Sequence, residues 1–260
     1  MFSAVLVACA TIAAARAPGQ AYNLSAWSLD TCVENPRSVS GKGLSTYTSP
    51  NFYLGADGAI VMITPDNATA ITSHADHPRT EFRDKSVADW PFGGTSHALM
   101  LRTAVHRVSN TSGETILAQI HGSVVEEVAK VLKLRWTRGL VEARVKNRTA
   151  PHDEFGLDLG KHALGETLAV SLNVWSNGTF TISVNGHSAS YAPPINAADR
   201  FYFKAGDYSQ CHPCGTAGQF TEVRLTALSA VHGPKEDGEE VELAMMSSGG
   251  SSGGGDNEKR

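Results

Sequence analysis

Little in this sequence points to helices, a membrane span or a metal. Between Trp27 and Ser229 no stretch sustains apolar residues at a 3.6-residue period, which argues against a helical bundle and against alternating strand and helix units. Beyond the first 21 residues there is no run of about 20 uncharged apolar residues of the kind that crosses a bilayer as a helix. No self-similar period is present, so a propeller or solenoid is excluded. The formal net charge is only -4, so the chain has no global attraction for nucleic acid or anionic membranes. Any anionic ligand must be held by a local cluster of Arg, Lys and His. Cysteines number four, and the pair in Cys211-His-Pro-Cys214 has neither a second pair nor a strand-helix-strand setting to make it a zinc or redox motif.

What the chain does have is turns. Its 25 Gly and 11 Pro, with frequent Ser, Thr and Asn, separate short extended segments, and 260 residues suffice for one large all-β sandwich. Leu168 to Trp175 and Thr179 to Val184 flank Asn177-Gly178, which predicts a hairpin closed by a type I′ turn, with a further reversal at Asn185-Gly186. Lys130 to Trp136 alternates and reads as a strand.

The ends differ from this middle. Met1 to Ala21 carries a short apolar core followed by small residues and reads as a signal peptide, although no Lys or Arg precedes the core. Residues 22–231 form the expected domain, and 232–260, which ends in Gly, Ser and charge, reads as a flexible tail. A secreted protein follows from this reading. Asn-x-Ser/Thr sequons at Asn23, Asn67, Asn110, Asn147 and Asn177 suit exposed turns in such a protein. Loss of Cys9 with the leader leaves Cys32, Cys211 and Cys214, enough for one disulfide, whose pairing stays open.

Three segments gather unusual polar groups on one strand face each. In Pro78-Arg-Thr-Glu-Phe-Arg-Asp84, alternation puts Arg79, Glu81 and Arg83 on one side and Thr80 and Phe82 on the other. In Ile116 to Gly122, Ile116, Ala118 and Ile120 face a core while Gln119 and His121 project oppositely. In Phe201 to Gln210, Phe201, Phe203 and Ala205 face inward and Tyr202, Lys204, Tyr208 and Gln210 outward. Any one of these could be an ordinary solvated strand. Together they collect two Arg, a Lys, a His, a Gln and a Tyr, a set suited to an anion beside a proton-transfer centre. His74, Asp76 and His77 could be read as metal ligands, but their spacing before Pro78 fits a polar loop, and no metal or other cofactor is expected.

The blocks RTEFR (Arg79 to Arg83), QIH (Gln119 to His121) and YFKAGDYSQ (Tyr202 to Gln210) closely resemble, in order and separation, the signature blocks of the alginate lyases of polysaccharide lyase family 7. The likeness extends more weakly through Trp27-Ser-Leu29, Asn51-Phe-Tyr53, Asp57-Gly58 and Lys133-Leu-Arg-Trp136. The resemblance implies a jelly-roll β-sandwich of two curved antiparallel sheets with a concave groove, and a monomer that cleaves an anionic polysaccharide by β-elimination. It implies catalytic roles for Arg79, Gln119, His121 and Tyr208, and substrate binding by Glu81, Arg83, Lys204 and Gln210, with orienting an arginine as the alternative role for Glu81. QIH tilts the preference towards guluronate. Lys204 is expected to ease ionisation of Tyr208, whereas Asp207, which departs from the family pattern beside Tyr208, is expected to repel an anionic substrate or raise the Tyr208 pKa. Phe82 is a further departure, on the core face. A lectin-like module for anionic glycans and a lyase for another polyuronate such as glucuronan are the alternatives; a retaining glycosidase lacks its pair of strand-borne carboxylates.

Overall fold

The computed structural model describes residues 15–71, 76–123, 130–146, 154–194, 198–211 and 218–233. Alternating apolar residues along short segments can bury only one side of each strand, and two sheets stacked face to face satisfy that constraint. Among the described residues fifteen strands do so. They are β1 (Trp27–Asp30), β2 (Ser38–Val39), β3 (Phe52–Leu54), β4 (Ile60–Pro65), β5 (Arg79–Asp84), β6 (Ser96–Arg107), β7 (Glu114–Gly122), β8 (Lys130–Thr137), β9 (Leu140–Lys146), β10 (Glu154–Lys161), β11 (Leu168–Val174), β12 (Phe180–Val184), β13 (His187–Tyr191), β14 (Phe201–Ser209) and β15 (Phe220–Gly233). One sheet runs β10-β9-β8-β7-β14-β5-β1-β2 and the other β13-β12-β11-β6-β15-β4-β3, with every strand pair antiparallel. This is the expected jelly-roll sandwich.

The core lies between the sheets. Phe82 is fully buried, edge-on to Trp27 at 6.0 Å and to Phe52 at 5.7 Å. Each such aromatic contributes roughly 2–3 kcal/mol by burial. The seven-stranded sheet supplies Leu99, Leu101, Val170, Leu172, Phe180 and Ile182 to the same cluster. In β7 the inward residue is Leu117 rather than the expected Ile116, because β7 carries an extra residue against β8 between Ile116 and Ala118. Such a bulge resets which face a side chain takes.

Several boundaries shift. The type I′ turns fall at Arg138-Gly139 and Asn185-Gly186, where both residues have positive φ. The Trp175–Thr179 connection instead has Gly178 N donating to Trp175 O and only Gly178 at positive φ, a three-residue loop in which a type I turn precedes a left-handed glycine. At the C-terminal end β15 extends past residue 231: His232 pairs with His97 and Gly233 with Ser96. His232 also ties the sheets together, its Nε2 2.7 Å from Asp84 Oδ2. At the N-terminal end, Arg16 bridges Leu54, and Ala17 and Pro18 are buried, so packed chain begins inside the stretch read as a leader. Residues 1–14 and 234–260, which hold the rest of that leader and nearly all of the tail, lie outside the described residues.

Candidate active site

Strand β14 is the centre of its sheet, with β5 on one side and β7 on the other. Its register sets Tyr208 beside Arg79, and Lys204 between Arg83 and Gln119; Tyr202 lies beside His121. The three polar blocks therefore meet on one outward face. Between Ala205 and Tyr208, β14 carries one more residue than β7, a bulge that includes Gly206. A side chain there does not fit, since a Cβ on Gly206 would come within 2.7 Å of the Thr80 carbonyl oxygen, and its φ is +145°.

Outward does not mean exposed. Arg79 is 5%, Lys204 4%, Tyr208 3%, and Glu81 and Gln119 0% accessible. Charged groups this deep persist only if matched. Glu81 is the hub: Gln119 Nε2 donates to Oε1 at 2.6 Å, while Lys204 Nζ and Arg79 Nη1 approach Oε2 at 2.7 and 3.2 Å. Burial alone would push the Glu81 carboxyl up, but these cations and the Gln119 amide outweigh it, and its pKa is lowered. A carboxylate only accepts, so Gln119 must turn its amide nitrogen to Glu81, and Oε1 is left buried without a partner. Arg79 Nε is likewise buried and unpartnered. Lys204 also reaches Asp30 Oδ2 at 3.0 Å.

The Arg79 guanidinium carbon stands 3.9 Å over the Tyr208 ring. The Tyr208 pKa is raised, chiefly by burial and against the pull of Arg79, so the phenol holds its proton at neutral pH. Lys204 therefore does not serve as expected, because its ammonium is spent on Glu81 and Asp30. Nor is Asp207 a charge facing the substrate. It pairs with inward-facing Thr80, is fully buried, and accepts a hydrogen bond from Thr115 Oγ1 at 2.8 Å. Burial pushes its pKa up to about 8, so it is mostly neutral at pH 7.

His121 is half-exposed and stacks on the Tyr202 ring at 5.0 Å, while Arg83 covers that ring at 3.7 Å. Tyr202 belongs to the strand between theirs, so the two flank it from opposite sides. Arg83 is itself held by Asp89 at 3.1 Å. His121 Nδ1 lies 2.8 Å from Gly122 O, which only accepts; the neutral ring thus keeps its proton on Nδ1 and its lone pair on Nε2. Gln210 stands apart, with its amide donating to the Tyr208 and Ser209 carbonyls beyond the end of β14. Sequence reasoning left out Asp30, and it put Tyr202 on the outward face without giving it a role. Tyr202 shares the outward parity of Lys204, and that was a usable signal; nothing local marks Asp30, which joins only because β1 pairs with β5.

Among the described residues no group of three His, Cys, Asp or Glu is arranged to hold a metal. His74 lies outside them. Cys211 is disulfide-bonded, and Cys32 keeps a buried free thiol.

A family model described as alginate lyase matches residues 22–232. This chain belongs to the alginate lyase family. Among solved structures it is similar to alginate lyase A1-II′ of polysaccharide lyase family 7, at 26% identity over 83% of this chain and 98% of the other, with TM-score 0.74. An alginate lyase from Pseudomonas aeruginosa is likewise 26% identical over 81% of this chain and 100% of its own, with TM-score 0.74. A variant of A1-II′ with His→Asn and Tyr→Phe substitutions, solved with a substrate (GGMG), is 25% identical over 85% of this chain and 99% of its own, with TM-score 0.75. No curated protein matches. The chain is a polysaccharide lyase, and the three sequence blocks that carried the resemblance lie together in its sheet.

Proposed function

We propose that this lyase depolymerises alginate by β-elimination at a site made by Arg79, Gln119, His121 and Tyr208. The observation that carries the reading is the convergence of these four side chains on one face of the adjacent strands β5, β14 and β7. A 4-linked uronate loses its C5 proton only if the negative charge that then builds on the neighbouring carboxylate is met by groups already in place. Arg79 supplies a cation with an uncommitted Nε, and Gln119 a neutral amide with one N–H beyond the bond to Glu81.

His121, with its lone pair on Nε2, takes the C5 proton of guluronate, and Tyr208, still protonated, gives its proton to the C4 oxygen as the C4–O bond breaks and the C4=C5 double bond forms. In mannuronate the C5 hydrogen lies on the other side; there Tyr208 first gives its phenolic proton to solvent, and the resulting phenolate takes the C5 proton and passes it to the C4 oxygen as the C4–O bond breaks. Arg83 and Tyr202 shape the same face. The relative with substituted His and Tyr that holds GGMG supports placing both residue types at the substrate.

The enzyme acts as a secreted monomer, endo-wise on the anionic polysaccharide, with the leader boundary ahead of Arg16, since Ala17 and Pro18 pack on the sandwich. Exposed Asn23, Asn67, Asn110 and Asn177 are its candidate glycan sites. The test is incubation with poly-mannuronate, poly-guluronate and glucuronan while following absorbance of the unsaturated uronate. New absorbance is expected on the alginate blocks, faster on poly-guluronate. Binding with no absorbance on any polymer would make the chain a lectin, and absorbance on glucuronan alone would move it to another polyuronate.

A further inference from the structure

We propose that Glu81 is a positioning residue, an anion that touches no sugar and fixes the places of Arg79 and Gln119 in the elimination. The inference rests on the reading of Arg79 and Gln119 given above; of the two roles that sequence allows Glu81, substrate binding or orienting an arginine, it takes the second and extends it to Gln119. A group that binds substrate must meet it, yet Glu81 is 0% accessible and both of its oxygens are taken by protein donors. Those donors come from three strands: Arg79 from its own β5, Lys204 from β14 and Gln119 from β7. One carboxylate therefore ties together the sheet centre on which the reaction face is built.

Its charge also decides the polarity of the site. Because Glu81 can only accept, it forces the Gln119 amide nitrogen towards itself and leaves no choice of rotamer about which end of the amide faces away. With Asp30 it brings the floor to neutrality, two carboxylates against Arg79 and Lys204. A uronate carboxylate thus meets an aimed donor set rather than a loose excess of positive charge, an arrangement that favours the transition state over tight binding of the ground state.

This predicts a split that a substrate-binding residue would not give. Glu81→Gln keeps the shape, unties Gln119 and Arg79, and leaves one more net positive charge under a polyanion. Expected is a fall in kcat on the order of 10²-fold, with KM unchanged or lower. A residue that accepts a sugar hydroxyl would do the reverse, raising KM and sparing kcat, and that result would overturn the proposal. If Glu81→Gln does not fold, Glu81→Asp serves: it keeps the charge but is one methylene short of its three donors, so kcat should fall about tenfold at constant KM, and a raised KM with intact kcat again overturns it. The wild-type absorbance assay reports on the lyase reading separately. Should wild type show no turnover, a crystal structure of the folding Glu81 variant decides, because Arg79 and Gln119 side chains unmoved from their wild-type places would also sink the proposal.

Discussion

The two sheets obey the same alternation, yet their outward faces differ in kind. On β12, Thr181 and Ser183 stand half-exposed between buried Phe180, Ile182 and Val184, the pattern of a strand with one face in water. On β14 all nine residues are buried, outward Lys204 and Tyr208 included. A hydroxyl in water needs no protein partner, whereas an ion out of water does, and this is why β14 carries an ion network around Glu81 while on β12 Thr181 only accepts a hydrogen bond from Trp175 Nε1. The comparison teaches that the face proposed to work in this lyase is set apart by charge that is both outward and covered. Substitutions there should be felt far more than on β12.

The largest effect is expected at Tyr208. Tyr208→Phe keeps the ring beneath Arg79 and removes the phenolic hydroxyl with its transferable proton, so kcat on alginate should fall by roughly 10²- to 10⁴-fold while oligouronate binding, measured calorimetrically, survives. Near-normal turnover would mean that the covered face is structural after all. Next comes His121, which is half-exposed and stacked on Tyr202. His121→Ala should lower kcat/KM on poly-guluronate by about 10²-fold and spare poly-mannuronate more, as read by the absorbance of the product. Equal loss on both polymers would remove the division of labour between His121 and Tyr208.

A third test leaves the face and asks about the strand's other side. Asp207 has the inward parity of Phe203 and Ala205, and burial holds its pKa at about 8, whereas an unfolded chain releases that proton near pH 4. Between about pH 4 and pH 8 unfolding therefore releases a proton. Stability from this group is greatest below pH 4, declines as pH rises to about 8, and is flat beyond. Asp207→Asn keeps an acceptor for Thr115 and has no charge to bury. Relative to wild type, it should gain a few kcal/mol by pH 8 and little at pH 4, measured by denaturant unfolding across pH. A gain that does not grow with pH would show that the Asp207 carboxyl is ionised in the folded protein.

Asp207 also marks the limit of what the sequence made legible. Alternation over Phe201 to Ala205 already placed Asp207 inward, but its neighbour in sequence was Tyr208, and proximity along the chain suggested an electrostatic contact that the pleat prevents. Arg79, Gln119, His121 and Tyr208 were legible because each block is short, regular and faces one way. Glu81 was legible as a member of the face that could orient an arginine of its own strand, but its ties to Lys204 and Gln119 were not, since they depend on which strands adjoin β14. Asp30 was out of reach for the same reason. The bulges in β7 and β14 have no signature beyond Gly206, and they decide whether Ile116 or Leu117 turns to the core and where Tyr208 sits opposite β7.

The smallest effect belongs on the seven-stranded sheet and is the control on the whole contrast. Ser183 lies on β12 opposite Ser171 of β11 and Ser188 of β13, on the half-exposed parity. Ser183→Thr adds one methyl to a face that water reaches, in a strand where a β-branched residue is favoured. Stability should change by no more than about 0.5 kcal/mol, and kcat/KM on poly-guluronate should stay at the wild-type value. A loss of activity here, with the fold intact by thermal unfolding, would mean that substrate engages both sheets, and burial of charge would no longer tell the working face of this lyase from the other.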